Sequence, residues 1–219
     1  MKKLKFAIFG TGFLVPVSTW CLDWNWKAFE CVALYNRTLS KADKLAERFH
    51  ISHTYDVSGK NYSARNSLTL VDIITDVDTH YKFVKMALDH GINHIICQKP
   101  HGARFLKPRN KWRRCCRDAG ARFYIHENYR WERPLRRFKE ILDSGVIGKP
   151  FKARLFFNSG FPVFDNQPIL LLELDKFILT DMGSHILDVA RFMFGECERL
   201  WCQTLTVNPK IKARMWHRS

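Results

Sequence analysis

Apolar and polar positions along the first half of the chain predict strands and helices in turn. KFAIF at Lys5–Phe9 and CVALY at Cys31–Tyr35 are apolar runs of strand length. From Ser40 to Phe49, Ala42, Leu45, Ala46 and Phe49 recur at helical spacing behind a serine suited to an N-cap. Residues 71–100, VDIITDVDTHYKFVKMALDHGINHIICQKP, read as strand, turn, helix, turn and strand. Val71–Thr75 ends in the polar turn Asp76–Thr79. Tyr81, Val84, Ala87 and Leu88 then form the apolar side of a helix, with His80, Lys82, Lys85 and Asp89 opposite. Gly91 stops it, and His94–Cys97 is the second apolar run. Two buried strands joined by a helix make a βαβ crossover, the unit of a parallel sheet. Further on, residues 113–119 predict a helix, Arg122–Ile125 a strand, and Leu135–Ser144 a helix with Leu135, Phe138, Ile141 and Leu142 inward. From Gly148 the pattern changes. Phe151–Asn158 alternates like a half-buried antiparallel strand, and a helix at 183–194 and a strand at 199–207 follow.

Ligands gather beyond the carboxyl ends of parallel strands. Here those ends are Thr75–Asp76 and Gln98–Lys99–Pro100. Gly10-Thr11-Gly12 follows the first strand, and a glycine pair there lets the backbone approach a pyrophosphate. Val15 stands where the full fingerprint has a third small residue, and Pro16 comes next, so the motif is half complete. The second strand ends in Asn36-Arg37-Thr38, without the acid that holds a ribose 2′-hydroxyl in NAD sites. Arg37 could instead pair with a 2′-phosphate, which leans the expectation to NADP over NAD; its plainer reading is a solvated turn residue.

Composition changes the picture little. Of 219 residues, 46% are hydrophobic and 26% charged, ordinary for a globular chain. The N-terminus mimics a secretory signal, but Gly10 and Gly12 interrupt its apolar run and no small-x-small site follows. No run has the length of a membrane span, so the expectation is a cytoplasmic protein with no membrane partner. Seven cysteines without a CxxC pair read as reduced thiols, and no metal is expected. The net charge of +15 is concentrated at 104–122 and 210–218, in segments without a recognisable nucleic-acid motif.

The GTG turn, the TDVDTH…ALDHGINHIICQKP unit and DMGSHILDVARFMFG at 181–195 together resemble the Gfo/Idh/MocA oxidoreductases. The resemblance implies a Rossmann-type parallel sheet followed by a partial α+β domain with a mostly antiparallel sheet. The division is an NAD(P)-binding domain at 1–124 and a substrate and oligomerisation domain at 125–219, with a homo-oligomer possible. It implies hydride transfer between a nicotinamide cofactor and a carbinol carbon of a sugar, inositol or related polyol. The family's E-K-P motif falls on Gln98-Lys99-Pro100, and its Asp and His four apart on Asp181 and His185. Lys99 would then polarise the reacting hydroxyl, His185 exchange its proton, and Asp181 orient the substrate. Gly10, Thr11, Gly12, Phe13, Asn36, Arg37, Thr75, His80 and Gln98 would bind the cofactor, and Asn128, Arg130 and Asp188 the substrate. Without the resemblance, Lys99 reads as a surface lysine, His185 as a core histidine and Asp181 as an N-cap.

Departures from the family pattern come in blocks: Phe13–Glu30, Val57–Leu70, Gly102–Arg114 and Ala213–Ser219. With a free choice of codons, KPRNKW at 107–112 read one base over becomes AEEQMV, and ARMWHRS at 213–219 can become GEDVAP. The expectation is a chain with frame-shifted blocks and a truncated end, its basic crowding a by-product rather than a nucleic-acid footprint. The alternative function is then a non-catalytic or inactive dinucleotide-binding relative.

Overall fold

The short apolar runs become strands of one parallel sheet in the computed structural model, which describes residues 3–11, 28–56, 68–99, 114–158 and 177–203. The chain divides into two compact units, Met1–His126 and Glu127–Ser219.

In the first unit, β1 (Leu4–Phe9), β2 (Phe29–Tyr35), β3 (His53–Tyr55), β4 (Leu70–Ile73), β5 (His94–Gln98) and β6 (Arg122–His126) lie in the order β3-β2-β1-β4-β5-β6. Every pairing is parallel. That order is the doubly wound one, and it reverses direction between β1 and β4. Helix α1 (Leu39–Phe49) packs Ala42 and Ala46 with Ile8 and Leu34 on one face of the sheet. Helix α2 (His80–Asp89) packs Phe83, Val84 and Ala87 with Phe9, Val71, Ile73 and Ile95 on the other. The rings of Phe9, Tyr35 and Phe83 meet with centroids 4.9 to 5.8 Å apart, tying α2 to the two strands beneath it. Residues 114–118 form a further helical turn.

The sequence gives little sign of β3. Its three residues are too few for an alternating pattern, and its start is set by the end of α1. There His50 adopts a left-handed φ of 54° and Ile51 donates to Ala46 O at 2.9 Å, turning the chain back toward β2.

The expected facing of α2 needs correction at His80, which was placed on its polar side. His80 is buried, and the 2.9 Å bond from its Nε2 to the Thr75 carbonyl satisfies one of its two ring nitrogens there. On β4, Asp72 points to the same side as Ile8 and Ile96, its register partners. Its Oδ1 is buried without a hydrogen-bond partner, and burial pushes the carboxyl up to about 7. Burial also pushes the Cys31 thiol up to about 12 and raises that of Cys97, so both are poor nucleophiles at neutral pH.

Among the described residues, the second unit holds a 3-10 turn at Tyr129–Trp131 and three helices: α3 (Arg133–Asp143), α4 (Phe177–Asp181) and α5 (Gly183–Phe194). Pro134 sits in the first turn of α3, where its missing N–H costs nothing. Of the residues expected inward on α3, Leu135, Ile141 and Leu142 are half-buried and Phe138 is exposed. The antiparallel strand expected at 151–158 is absent there. Those residues are exposed and hold neither helix nor strand, having no ladder partner among the described residues. Residues 199–203 likewise hold no strand. The remainder of that expected strand, the loop at 159–176 and most of the four departing blocks lie outside the described residues.

Candidate functional site

Parallel register brings the strand ends of the first unit to one edge. Phe9 stands beside Tyr35 and Ile73, Ile73 beside Cys97, and Gln98 beside His126. The ladder runs one residue further: Gly10 N–H donates to Tyr35 O at 2.8 Å, and Ile74 N–H donates to Phe9 O at 2.7 Å. Gly10 is required there on two counts. Its φ is +103°, and a Cβ would stand 2.7 Å from the carbonyl oxygen of Ile74. The sequence pointed to this glycine for its approach to a ligand; the structure adds an approach of backbone to backbone.

Around it, Asn36 donates from Nδ2 to Thr11 Oγ1 and accepts at Oδ1 from the Thr38 N–H at 2.8 Å. Asn36 thereby joins the turn after β2 to the turn after β1. Arg37 beside it is exposed. After β4, Thr79 Oγ1 donates to Thr75 Oγ1 at 2.8 Å, and His80 holds the Thr75 carbonyl. Burial lowers the His80 imidazole, so its neutral ring donates from Nε2 and leaves Nδ1 buried without a partner. His80 thus shapes the loop after β4 from within. After β5, Gln98 is buried and donates from Nε2 to Nδ1 of His126, and Lys99 follows it. Gly12 and Phe13 lie outside the described residues. A glycine with backbone pressed close and a ring of hydroxyls and amides, at the point where strand order reverses, have the chemistry of a dinucleotide cradle.

The second unit gathers the rest. His185, on α5, is buried, and its Nδ1 lies 2.6 Å from Glu127 Oε2. The Tyr129 ring stacks on the imidazole, centroids 4.3 Å apart and planes within 8°. Asp181 closes α4 and is buried as well, its carbonyl accepting from Ser184 Oγ at 3.2 Å. Arg130 makes a two-point ion pair with Asp188, Nε donating to Oδ2 at 2.6 Å and Nη2 to Oδ1. Its guanidinium also sits 5.6 Å from the Phe192 ring centroid. That pairing raises Arg130 further above its ordinary value. Arg130 and Asp188 thus meet each other and fasten the 3-10 turn to α5. Asn128 is exposed, its carbonyl accepting from Trp131 N–H at 2.9 Å. Sequence reasoning missed Glu127 and His126, which the HENYRW string held in plain view at the strand's end.

A doubly wound parallel sheet with a glycine turn at its switch point, followed by a second compact unit, defines a Rossmann-type class of chain. The chain belongs to the Gfo/Idh/MocA oxidoreductases. Residues 4–125 match the family's NAD-binding Rossmann fold and residues 135–216 match its C-terminal domain. It is 37% identical over 214 residues to D-apiose dehydrogenase of Rhizobium rhizogenes, covering 97% of this chain and 60% of that protein. To D-apiose dehydrogenase of Paraburkholderia graminis it is 35% identical over 213 residues, covering 96% and 55%. An oxidoreductase of Agrobacterium radiobacter, solved in complex with NAD+, L-tartaric acid and magnesium, superposes with a TM-score of 0.86 at 36% identity, covering 97% of this chain and 61% of that one. The chain thus spans about three-fifths of the length of the relatives it matches. No helix among the described residues is long and apolar enough to cross a membrane.

Proposed function

We propose that this chain carries the machinery of a nicotinamide-dependent dehydrogenase acting on a carbinol carbon of a sugar, inositol or related polyol. The observation that carries the reading is the β1–β4 switch point, where Gly10 leaves no room for a side chain and Thr11, Asn36, Thr75 and Gln98 are held in the turns at the same strand ends. These residues fit a dinucleotide, with Gly12, Phe13 and Arg37 completing the set and His80 holding the loop. When bound, the nicotinamide supplies the hydride acceptor or donor.

Lys99 hydrogen-bonds the reacting hydroxyl and stabilises the negative charge that grows on its oxygen. His185 takes the hydroxyl proton in oxidation and returns it in reduction, work suited to an imidazole near neutral pH. Asp181 orients the substrate, and Asn128, Arg130 and Asp188 line its binding surface. Arg37, exposed where an acid would favour NAD, supports NADP. The D-apiose dehydrogenase relatives put D-apiose first among substrates to try.

Titration with NADH and NADPH, followed by nicotinamide fluorescence, tests binding. Turnover is then measured on D-apiose, myo-inositol and further polyols. The expected result is binding and turnover, with Lys99→Ala retaining binding and losing turnover by at least about 100-fold. Absence of dinucleotide binding defeats the reading. A second reading, a non-catalytic dinucleotide-binding relative, is favoured by Gln98, which replaces the family's glutamate and spends its amide on His126. It predicts binding without turnover on any member of the panel.

A further inference from the structure

His185 has a proton to move only if one ring nitrogen is kept bare, and the second unit contains the means of choosing which. A carboxylate can only accept a hydrogen bond. With Glu127 Oε2 at 2.6 Å, the nitrogen that must carry the hydrogen is therefore Nδ1. The lone pair of the neutral ring is thereby assigned to Nε2. Tyr129, stacked 4.3 Å away and nearly parallel, fixes the plane in which that lone pair lies. Both Glu127 and His185 are largely withdrawn from water, with side chains 12% and 6% exposed, so the bond is weakly screened.

We propose that Glu127 is the positioning residue for His185, setting its tautomer and stabilising the imidazolium formed when Nε2 accepts a proton. The proposal deepens the dehydrogenase reading and rests on it for its consequence. In oxidation of a carbinol, the C–H electron pair leaves with the hydride to the oxidised nicotinamide. The O–H proton passes to Nε2 of His185, and the carbinol becomes a carbonyl. Glu127 takes no proton; its charge lies against the ring on which positive charge appears. Tyr129 stacks on His185 and feels the charge of Asp181 as well as of Glu127, while Asp188 on α5 pairs with Arg130 of the 3-10 turn. Burial raises the Tyr129 phenol, so it stays neutral across the working range. Arg130 and Asp188 are paired with each other.

The test is nitrogen-15 NMR of the histidine side chains in the full chain, with His185 assigned from the spectrum of His185→Gln. In the wild type the expected pattern is a protonated Nδ1 and a bare Nε2 in the neutral ring. Glu127→Gln, whose amide can donate or accept, should lose that single tautomer to a mixture. With any substrate that turns over, Glu127→Gln should lower kcat about 10-fold with KM little changed, because the proton acceptor rather than a substrate contact has been altered. A neutral wild-type ring protonated at Nε2 overturns the proposal without recourse to any variant. So does an unchanged tautomer in a Glu127→Gln protein whose amide spectrum remains folded. The tautomer is read without substrate or cofactor. A chain that shows the expected tautomer but no turnover therefore defeats the dehydrogenase reading and leaves the role of Glu127 on His185 standing.

Discussion

One methyl group separates glycine from alanine, and at Gly10 there is nowhere to put it. The Cβ would meet the Ile74 carbonyl at 2.7 Å, with backbone on both sides of the contact. Neither partner is a flexible side chain that can swing away, so the strands themselves must part. Gly10→Ala is expected to destabilise the fold by about 2–4 kcal/mol, from left-handed strain plus displacement of β4. Urea unfolding measures it, and weakened dinucleotide binding should accompany it. Asp72 poses the opposite problem, a group with too little around it. Its folded carboxyl titrates at about 7 against an ordinary 3.8, so between those values the folded state holds a proton that the unfolded chain has released. Stability contributed by that proton is full below about 4 and is lost as pH rises toward 7. Asp72→Asn should flatten this fall and stabilise the chain at pH 8 by roughly 1–3 kcal/mol, read from unfolding curves at pH 5 and pH 8. At this scale the sequence was legible where a residue type has few uses, as for Gly10. It was mute where the partner is distant in the chain: nothing in HENYRW says that its glutamate meets a histidine 58 residues on.

Helix α2 shows what a single element adds. Phe83 closes the three-ring cluster with Phe9 and Tyr35 and is buried, so Phe83→Ala opens a cavity on the core face of the sheet. The expected cost is about 3–4 kcal/mol, measurable as a drop in urea midpoint at unchanged slope. Periodicity placed this helix well, because Val84 and Ala87 repeat on the face that Phe83 shares. It misplaced His80, because a hydropathy pattern counts imidazole as polar. The bond to the Thr75 carbonyl, which makes it a core residue, is made by the ring's far nitrogen. The five strands that periodicity anticipated before residue 126 are all present, whereas β3 was hidden by its length. The strand expected at 151–158 failed for a different reason. Alternation marks a surface able to join a sheet, and joining takes a partner that those residues do not have among the described part of the chain.

For the whole molecule, the two units differ in how well their apolar residues are covered. The first has a core on each face of its sheet. In the second, Val146, Phe151, Phe156, Leu200 and Trp201 are each 70% exposed or more. Amides in β1, β4 and β5 should therefore exchange with deuterium slowest, and those of 144–158 within the dead time of a manual experiment. Apolar surface of that extent also favours association, so light scattering should rise with protein concentration. The family match over both units was legible in the sequence because its motifs sit at strand ends and helix faces. The second sheet that the resemblance implies is not found among the described residues.

Two neighbouring residues, His126 and Glu127, are bound to different units: one takes the amide of Gln98, the other holds His185. Loops ordinarily absorb insertions, and the end of a strand beside a domain boundary is a common place to find them. Here each flanking side chain is anchored within its own unit, so the joint can lengthen without breaking either bond. A single glycine inserted after His126 should therefore leave the sheet folded by circular dichroism and the His185 tautomer unchanged.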